Sequence, residues 1–293
     1  MAIERIAVVG GGYMGGGIAQ VAAQAGLSVV LIDTNQDQLA AARERIAWSL
    51  DKLADKGLLT EDPDTVSARL TTGSDLASAH DVDLVIEAVY EDVNLKEDLL
   101  GKLDKVCDNR TILGSNTSTI PITTLAAATG RPDRVIGIHF FGPVPIVPLV
   151  EVVRGADTSS ETLEQVIAFV ERLQKDPVVV SKDIPGFLMN RIFGVMACEA
   201  IRLVEDCAGT VDDIDQGMCD GFNMRVGPLA ICDNAGLDIC LNAFTIMHDR
   251  DPERMPKPPS LLKRFVAEGK LGQKTAEGFY RYDTAGKRLG PSI

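Results

Sequence analysis

A short glycine turn near the start constrains this chain more than any other feature. Gly10-Gly11-Gly12-Tyr13-Met14-Gly15 follows the apolar run Ile6–Val9 and opens a helix-length segment. Gly10, Gly12 and Gly15 form G-x-G-x-x-G, the turn by which a strand enters a helix that faces a dinucleotide. Gly10 allows the tight turn, Gly12 lets the backbone approach a pyrophosphate, and Gly15 lets helix and strand pack closely. The first helical N–H groups, around Tyr13 and Met14, then meet the phosphates at the positive end of the helix dipole. Asp33 ends the next apolar run, Val29–Ile32, 18 residues beyond Gly15. A carboxylate there accepts from a ribose 2′-hydroxyl and repels a 2′-phosphate. The residues that follow, Thr34, Asn35 and Gln36, offer no arginine. The expected cofactor is NAD rather than NADP; a glycine turn without a ligand is the alternative.

The rest of the chain supports this reading. Leu84–Ala88, Thr111–Leu113 and Val135–Ile138 are further short apolar runs. They alternate with helix-length segments such as Gly15–Ala25, Gln36–Leu58 and Asn94–Cys107. The alternation predicts an α/β chain with a Rossmann-type, doubly wound, mostly parallel sheet. After Val178–Val180 comes the breaker cluster Asp183-Ile184-Pro185-Gly186. Only helical patterns follow: Phe187–Cys207, Val211–Cys219, Leu229–Met247 and Leu261–Ala267, with a proline-rich loop at Pro252–Pro259. Two domains are expected, a nucleotide-binding domain over 1–183 and a smaller all-α domain over 184–293.

Charge and cysteines exclude several classes. The 29 basic and 42 acidic residues leave a net charge of −13, which disfavours nucleic acid or an anionic membrane surface as partner. A local basic patch or helix N-terminus can still hold a small phosphorylated ligand. Six cysteines without CxxC or finger-like spacing predict reduced thiols, a cytoplasmic protein and no metal. No apolar run approaches the ~20 residues of a membrane span, and the N-terminus lacks a signal-peptide pattern.

Of the three histidines, His80 lies in a polar stretch and His248 is expected at an exposed helix end. His139 closes the run Val135–Ile138, where ligands of open α/β sheets bind. Position alone leaves it either catalytic or structural. Glu151 follows 12 residues later, after Pro143-Val144-Pro145 turns the chain, and can fix the tautomer of His139. Asn116 and Ser118, just after Thr111–Leu113, bring an amide and a hydroxyl to the same sheet edge.

Several motifs then occur in order: the glycine turn with Ile18-Ala19-Gln20, Ile86-Glu87-Ala88 with Glu91, Ser115-Asn116-Thr117-Ser118, His139-Phe140-Phe141, Leu149-Val150-Glu151-Val152, Pro185-Gly186-Phe187 with Asn190-Arg191, and Leu271-Gly272 with Lys274-Thr275. Together they resemble the short-form L-3-hydroxyacyl-CoA dehydrogenases, over nearly the whole chain. The resemblance implies that His139 is the general base toward the substrate's 3-hydroxyl, paired with Glu151. Ser118 and Asn190 would hydrogen-bond the substrate. Glu91, Lys96, Asn116, Ser118 and Lys274 would lie near the cofactor. Ser49 and Lys56 would contact coenzyme A; seven residues apart, they share a helix face. Without the resemblance, Lys56 reads equally as a solvated lysine, Glu91 as a loop residue and Asn190 as a hinge or cap. A homodimer through the helical domain is also implied.

The chain departs from the family pattern at Gly142, where asparagine usually follows His-Phe-Phe, at Val147-Pro148, and at Met224-Arg225-Val226-Gly227-Pro228. These leave the acyl group open. They keep a free hydroxy acid, or a hydroxyacyl group on a carrier protein, as alternative substrates. A silent nucleotide-binding protein is the alternative outside enzymes, and it would not need His139, Glu151, Ser118 and Asn190 together.

Overall fold

The computed structural model describes residues 2–293. The chain divides into two compact units, Met1–Ile184 and Pro185–Ile293. In the first, eight strands form one sheet: β1 (Arg5–Val9), β2 (Ser28–Ile32), β3 (Leu70–Gly73), β4 (Leu84–Glu87), β5 (Ile112–Ser115), β6 (Val135–Phe140), β7 (Leu149–Arg154) and β8 (Asp176–Val180). Their spatial order is β3-β2-β1-β4-β5-β6-β7-β8. The first six are parallel, in the 3-2-1-4-5-6 order of doubly wound dinucleotide folds. β7 runs antiparallel to β6, and β8 is parallel to β7.

The helices of this unit are α1 (Tyr13–Gln24), α2 (Gln36–Asp55), α3 (Pro63–Ser67), α4 (Val93–Val106), α5 (Ile122–Ala126) and α6 (Ser160–Arg172). Side chains start several of them. Asn35 accepts from the backbone N–H of Asp37 and Gln38 to begin α2, and Asp92 accepts from Leu95 N–H to begin α4. All of β4 and Ile6–Val9 of β1 are buried, as central parallel strands covered on both faces must be. The core joins Ile6, Val8 and Leu31 to Ile18 and Ala22 of α1 and Leu39 and Ile46 of α2.

The second unit contains α7 (Met189–Glu205), α8 (Val211–Phe222), α9 (Pro228–Ala235), α10 (Leu237–Arg250) and α11 (Ser260–Ala267), around a core that includes Ile201, Leu229, Phe244, Phe265 and Phe279. Two details differ from the expectation of an all-α domain with a continuous helix over Leu229–Met247. That helix is broken at Gly236, where φ is +100° and the axis bends by 104°. The unit also carries a two-stranded antiparallel hairpin, β9 (Tyr280–Tyr282) and β10 (Arg288–Pro291). Among the described residues no single helix is long and apolar enough to cross a membrane.

Candidate active site

The glycine turn lies at the sheet's switch point, where β1 and β4 lead chain in opposite directions. Gly10 has φ +113°, and a Cβ there would stand 2.5 Å from the Ala88 carbonyl oxygen. A Cβ on Gly15 would stand 1.8 Å from the Gly10 carbonyl oxygen. Both positions require glycine, one for backbone conformation and one for contact. A Cβ on Gly12 would meet nothing within 4 Å, so this stretch of backbone faces open space. No side chain caps α1, and its first turn has no acidic residue, which leaves that end suited to an anion. Asp33 accepts from Gly11 N–H at 2.7 Å and Asn35 N–H at 2.8 Å. It therefore holds the turn while standing at the end of β2. Arg45 of α2 donates to the Gly11 carbonyl at 2.9 Å. The open backbone at Gly12, the uncapped helix end and the carboxylate on β2 fit a dinucleotide with a free ribose 2′-hydroxyl.

At the far side of the sheet, His139 and Glu151 face each other directly across the antiparallel β6–β7 pair. Their side chains meet at 2.8 Å between Nδ1 and Oε2, with Glu151 fully buried and His139 6% exposed. The register of two strands therefore sets this acid–base pair. Next to it, the Phe141 ring lies 4.4 Å from the imidazole, centroid to centroid. Asn116 accepts from Phe140 N–H at 2.9 Å, so its amide ties the loop after β5 to the end of β6.

A third group of residues stiffens that loop. Lys96 of α4 is buried, its Nζ 2.6 Å from Glu87 Oε1 and 3.3 Å from Glu91 Oε2. Ser115 donates to the other oxygen of Glu87 at 2.6 Å. Glu91 accepts from Thr117 Oγ1 and from the N–H groups of Ser118 and Thr119. Burial pushes the Glu91 carboxyl upward, but the Lys96 ammonium and these hydrogen bonds outweigh it and hold it below its ordinary value. The structure thus turns the Lys96 charge into the protein, onto two glutamates, while Glu91 fixes the backbone that carries Ser118. Glu87 was not among the expected site residues. Its signal was a lone glutamate closing an apolar strand, with a lysine nine residues on.

Ser49 and Lys56 line one cavity of 440 Å³ beside α2, together with Tyr13 and the loop Pro143–Ile146. Gln20 Nε2 donates to Ser49 Oγ at 3.0 Å. Gly142 has its own reason: a Cβ there would stand 3.0 Å from Cε1 of Tyr13, so the aromatic ring lies where a side chain would begin. Asn190 and Lys274 belong to the helical unit. Asn190 is in the first turn of α7, and Lys274 pairs with Asp238 at 2.6 Å. His80 is exposed. His248 differs from expectation: it is half-buried and donates through Nδ1 to the Met255 carbonyl at 2.8 Å. No group of residues suited to a metal ion occurs among the described residues.

A dinucleotide turn at the switch point of a doubly wound sheet, with a buried histidine–carboxylate pair at another strand's carboxyl end, defines the class of nicotinamide-dependent dehydrogenases. Comparison with known proteins narrows it. The 3-hydroxyacyl-CoA dehydrogenase NAD binding domain matches residues 5–184, and the C-terminal domain of the same family matches residues 186–282. A probable 3-hydroxybutyryl-CoA dehydrogenase of Deinococcus radiodurans is 45% identical over 95% of this chain and 100% of its own length. The mitochondrial hydroxyacyl-coenzyme A dehydrogenase of Rattus norvegicus is 43% identical over 96% of this chain and 91% of its own. The crystal structure of (S)-3-hydroxybutyryl-CoA dehydrogenase from Ralstonia eutropha superimposes with a TM-score of 0.91 at 39% identity, covering 97% of this chain and 100% of that one. The chain belongs to the 3-hydroxyacyl-CoA dehydrogenase family, and its cofactor is NAD.

Proposed function

We propose that the enzyme oxidises the 3-hydroxyl of an L-3-hydroxyacyl-CoA to the ketone, and runs the reverse, with His139 and Glu151 as its acid–base pair. The observation that carries this reading is the 2.8 Å contact between two buried side chains placed opposite each other by strand register. When bound, NAD supplies the ring that takes the hydride from C3. The Gly10–Gly15 turn holds its phosphates and Asp33 its ribose. With Nδ1 of His139 engaged by Glu151, Nε2 is the nitrogen that exchanges a proton with the substrate oxygen. The carboxylate fixes the tautomer and stabilises the imidazolium formed during oxidation. Ser118, on the loop that Glu91 fixes, positions the substrate hydroxyl, and Asn190 adds a further hydrogen bond to substrate.

Replacing His139 with glutamine tests this. Turnover of acetoacetyl-CoA with NADH is expected to fall by about 10³-fold, within the range for a lost general acid–base group. NADH binding, followed by nucleotide fluorescence, is expected to stay near wild type. A variant that keeps a tenth of the activity overturns the assignment. Free acetoacetate, run beside acetoacetyl-CoA, separates the thioester reading from a hydroxy-acid dehydrogenase.

The enzyme is further proposed to act in the cytoplasm as a homodimer through its helical unit. Six free cysteines suit a reducing compartment. Ile192, Phe222 and Ile239 of the helical unit are large apolar residues left 64%, 74% and 57% exposed, which a second copy would cover.

A further inference from the structure

We infer that one face of α2 reads the nucleotide end of coenzyme A, with Trp48 stacking on the adenine and Lys52 joining Lys56 at the phosphates. This deepens the proposal above and rests on it. Arg45, Trp48, Ser49, Lys52 and Lys56 recur at helical spacings of three and four, so they share one side of the helix. All five line the same 440 Å³ cavity. In a chain of net charge −13, three cations on one face mark a place for a polyanion. Arg45 is fixed at the mouth by its bond to Gly11, and Lys52 has only a 3.8 Å, solvent-exposed pairing with Asp55. Such an exposed pair adds little and yields readily to a phosphate.

Trp48 specifies what the polyanion carries. It is the chain's one tryptophan and is 65% exposed within this cavity. A solvent-facing indole beside cations suits a flat heteroaromatic base with attached phosphates. From Trp48 to Lys56 is eight residues, ~12 Å along the helix axis, the scale of a nucleoside and its phosphates. The opposite wall, Pro143–Ile146, begins four residues after His139, so a ligand anchored here by its nucleotide can send its other end toward the acid–base pair. A pantetheine thioester on a carrier protein has no adenylate for this face. The inference therefore assigns the enzyme to free CoA thioesters.

Because Trp48 is the single tryptophan, its fluorescence reports on this site without turnover. Adenosine 3′,5′-bisphosphate and CoA are expected to quench it saturably, and pantetheine is not. Trp48→Leu is expected to raise KM for acetoacetyl-CoA by ~10-fold, the scale of one lost base stack, with kcat within about twofold. With acetoacetyl-pantetheine the same variant is expected to shift KM by less than about twofold. Lys52→Glu should likewise penalise the CoA thioester alone. An equal rise in KM for both thioesters makes Trp48 a mere wall and overturns the inference. Unchanged kinetics, or no quenching by the bisphosphate, overturns it too. If wild type consumes no NADH with either thioester while the bisphosphate still quenches, the proposed reaction fails and the nucleotide site stands.

Discussion

Two buried carboxylate centres, one in each unit, hold loops in place by different means. In the nucleotide-binding unit, Glu87 and Glu91 share the Lys96 ammonium, and Glu91 is held below its ordinary value. In the helical unit, Asp233 is 1% exposed and accepts from the N–H groups of Phe279 and Tyr280 and the hydroxyl of Tyr282. Among the described residues it has no ion pair. Burial outweighs these hydrogen bonds and pushes its carboxyl up to about 6. Its neighbour Asp215 accepts from Leu229 N–H and Ala230 N–H at the start of α9 and from the Tyr280 hydroxyl. Charge pairing thus serves the loop that carries Ser118, which must keep its shape as the chemistry moves protons. Dipoles suffice for the hairpin, and they leave that unit responsive to pH.

The largest expected effect comes from breaking the paired centre. Lys96→Met leaves two carboxylates without their cation and is expected to destabilise the protein by about 3–5 kcal/mol in urea unfolding. A loss below about 1 kcal/mol would mean the ion pair is not what holds this loop. The next test uses pH. Asp233 keeps its proton in the folded state up to about 6, whereas an ordinary aspartate releases it near 3.8. The folded form therefore binds more protons across that window, and this contribution is full at low pH and lost as pH rises through it. The stability advantage of wild type over Asp233→Asn is expected to narrow by about 2–3 kcal/mol between pH ~4 and ~7. A constant gap would show that Asp233 is ionised throughout. The smallest effect is expected for Glu91→Gln, which keeps an acceptor but drops the charge. About 1 kcal/mol of stability should be lost, together with turnover and with little change in KM for NADH. Equal loss of both kinetic parameters would place Glu91 against the cofactor instead.

The same contrast shows what the sequence could reveal. The Gly10–Gly15 turn and Asp33 were legible because their requirements are local, a backbone angle and a strand end. His139 and Glu151 were legible as a pair by residue type, but the cross-strand pairing that joins them was not. β7 was not singled out because its apolar run encloses Glu151, and β3 was missed because Leu70-Thr71-Thr72-Gly73 is a polar edge strand with one buried residue. Lys96 was expected at the cofactor. Its turn toward Glu87 depends on how α4 packs against β4, which no local pattern encodes. The break at Gly236 was hidden because apolar residues continue on both sides of it.

The reversal of β7 has a consequence for how such enzymes diversify. His139 and Glu151 are locked by the ladder between two strands, and the segment 141–148 merely joins them. Insertions, prolines or exchanges in that connection can reshape what the enzyme accepts while the proton-handling pair keeps its spacing. Substrate choice and proton chemistry are thereby encoded in separate stretches of chain, and selection can alter one without disturbing the other.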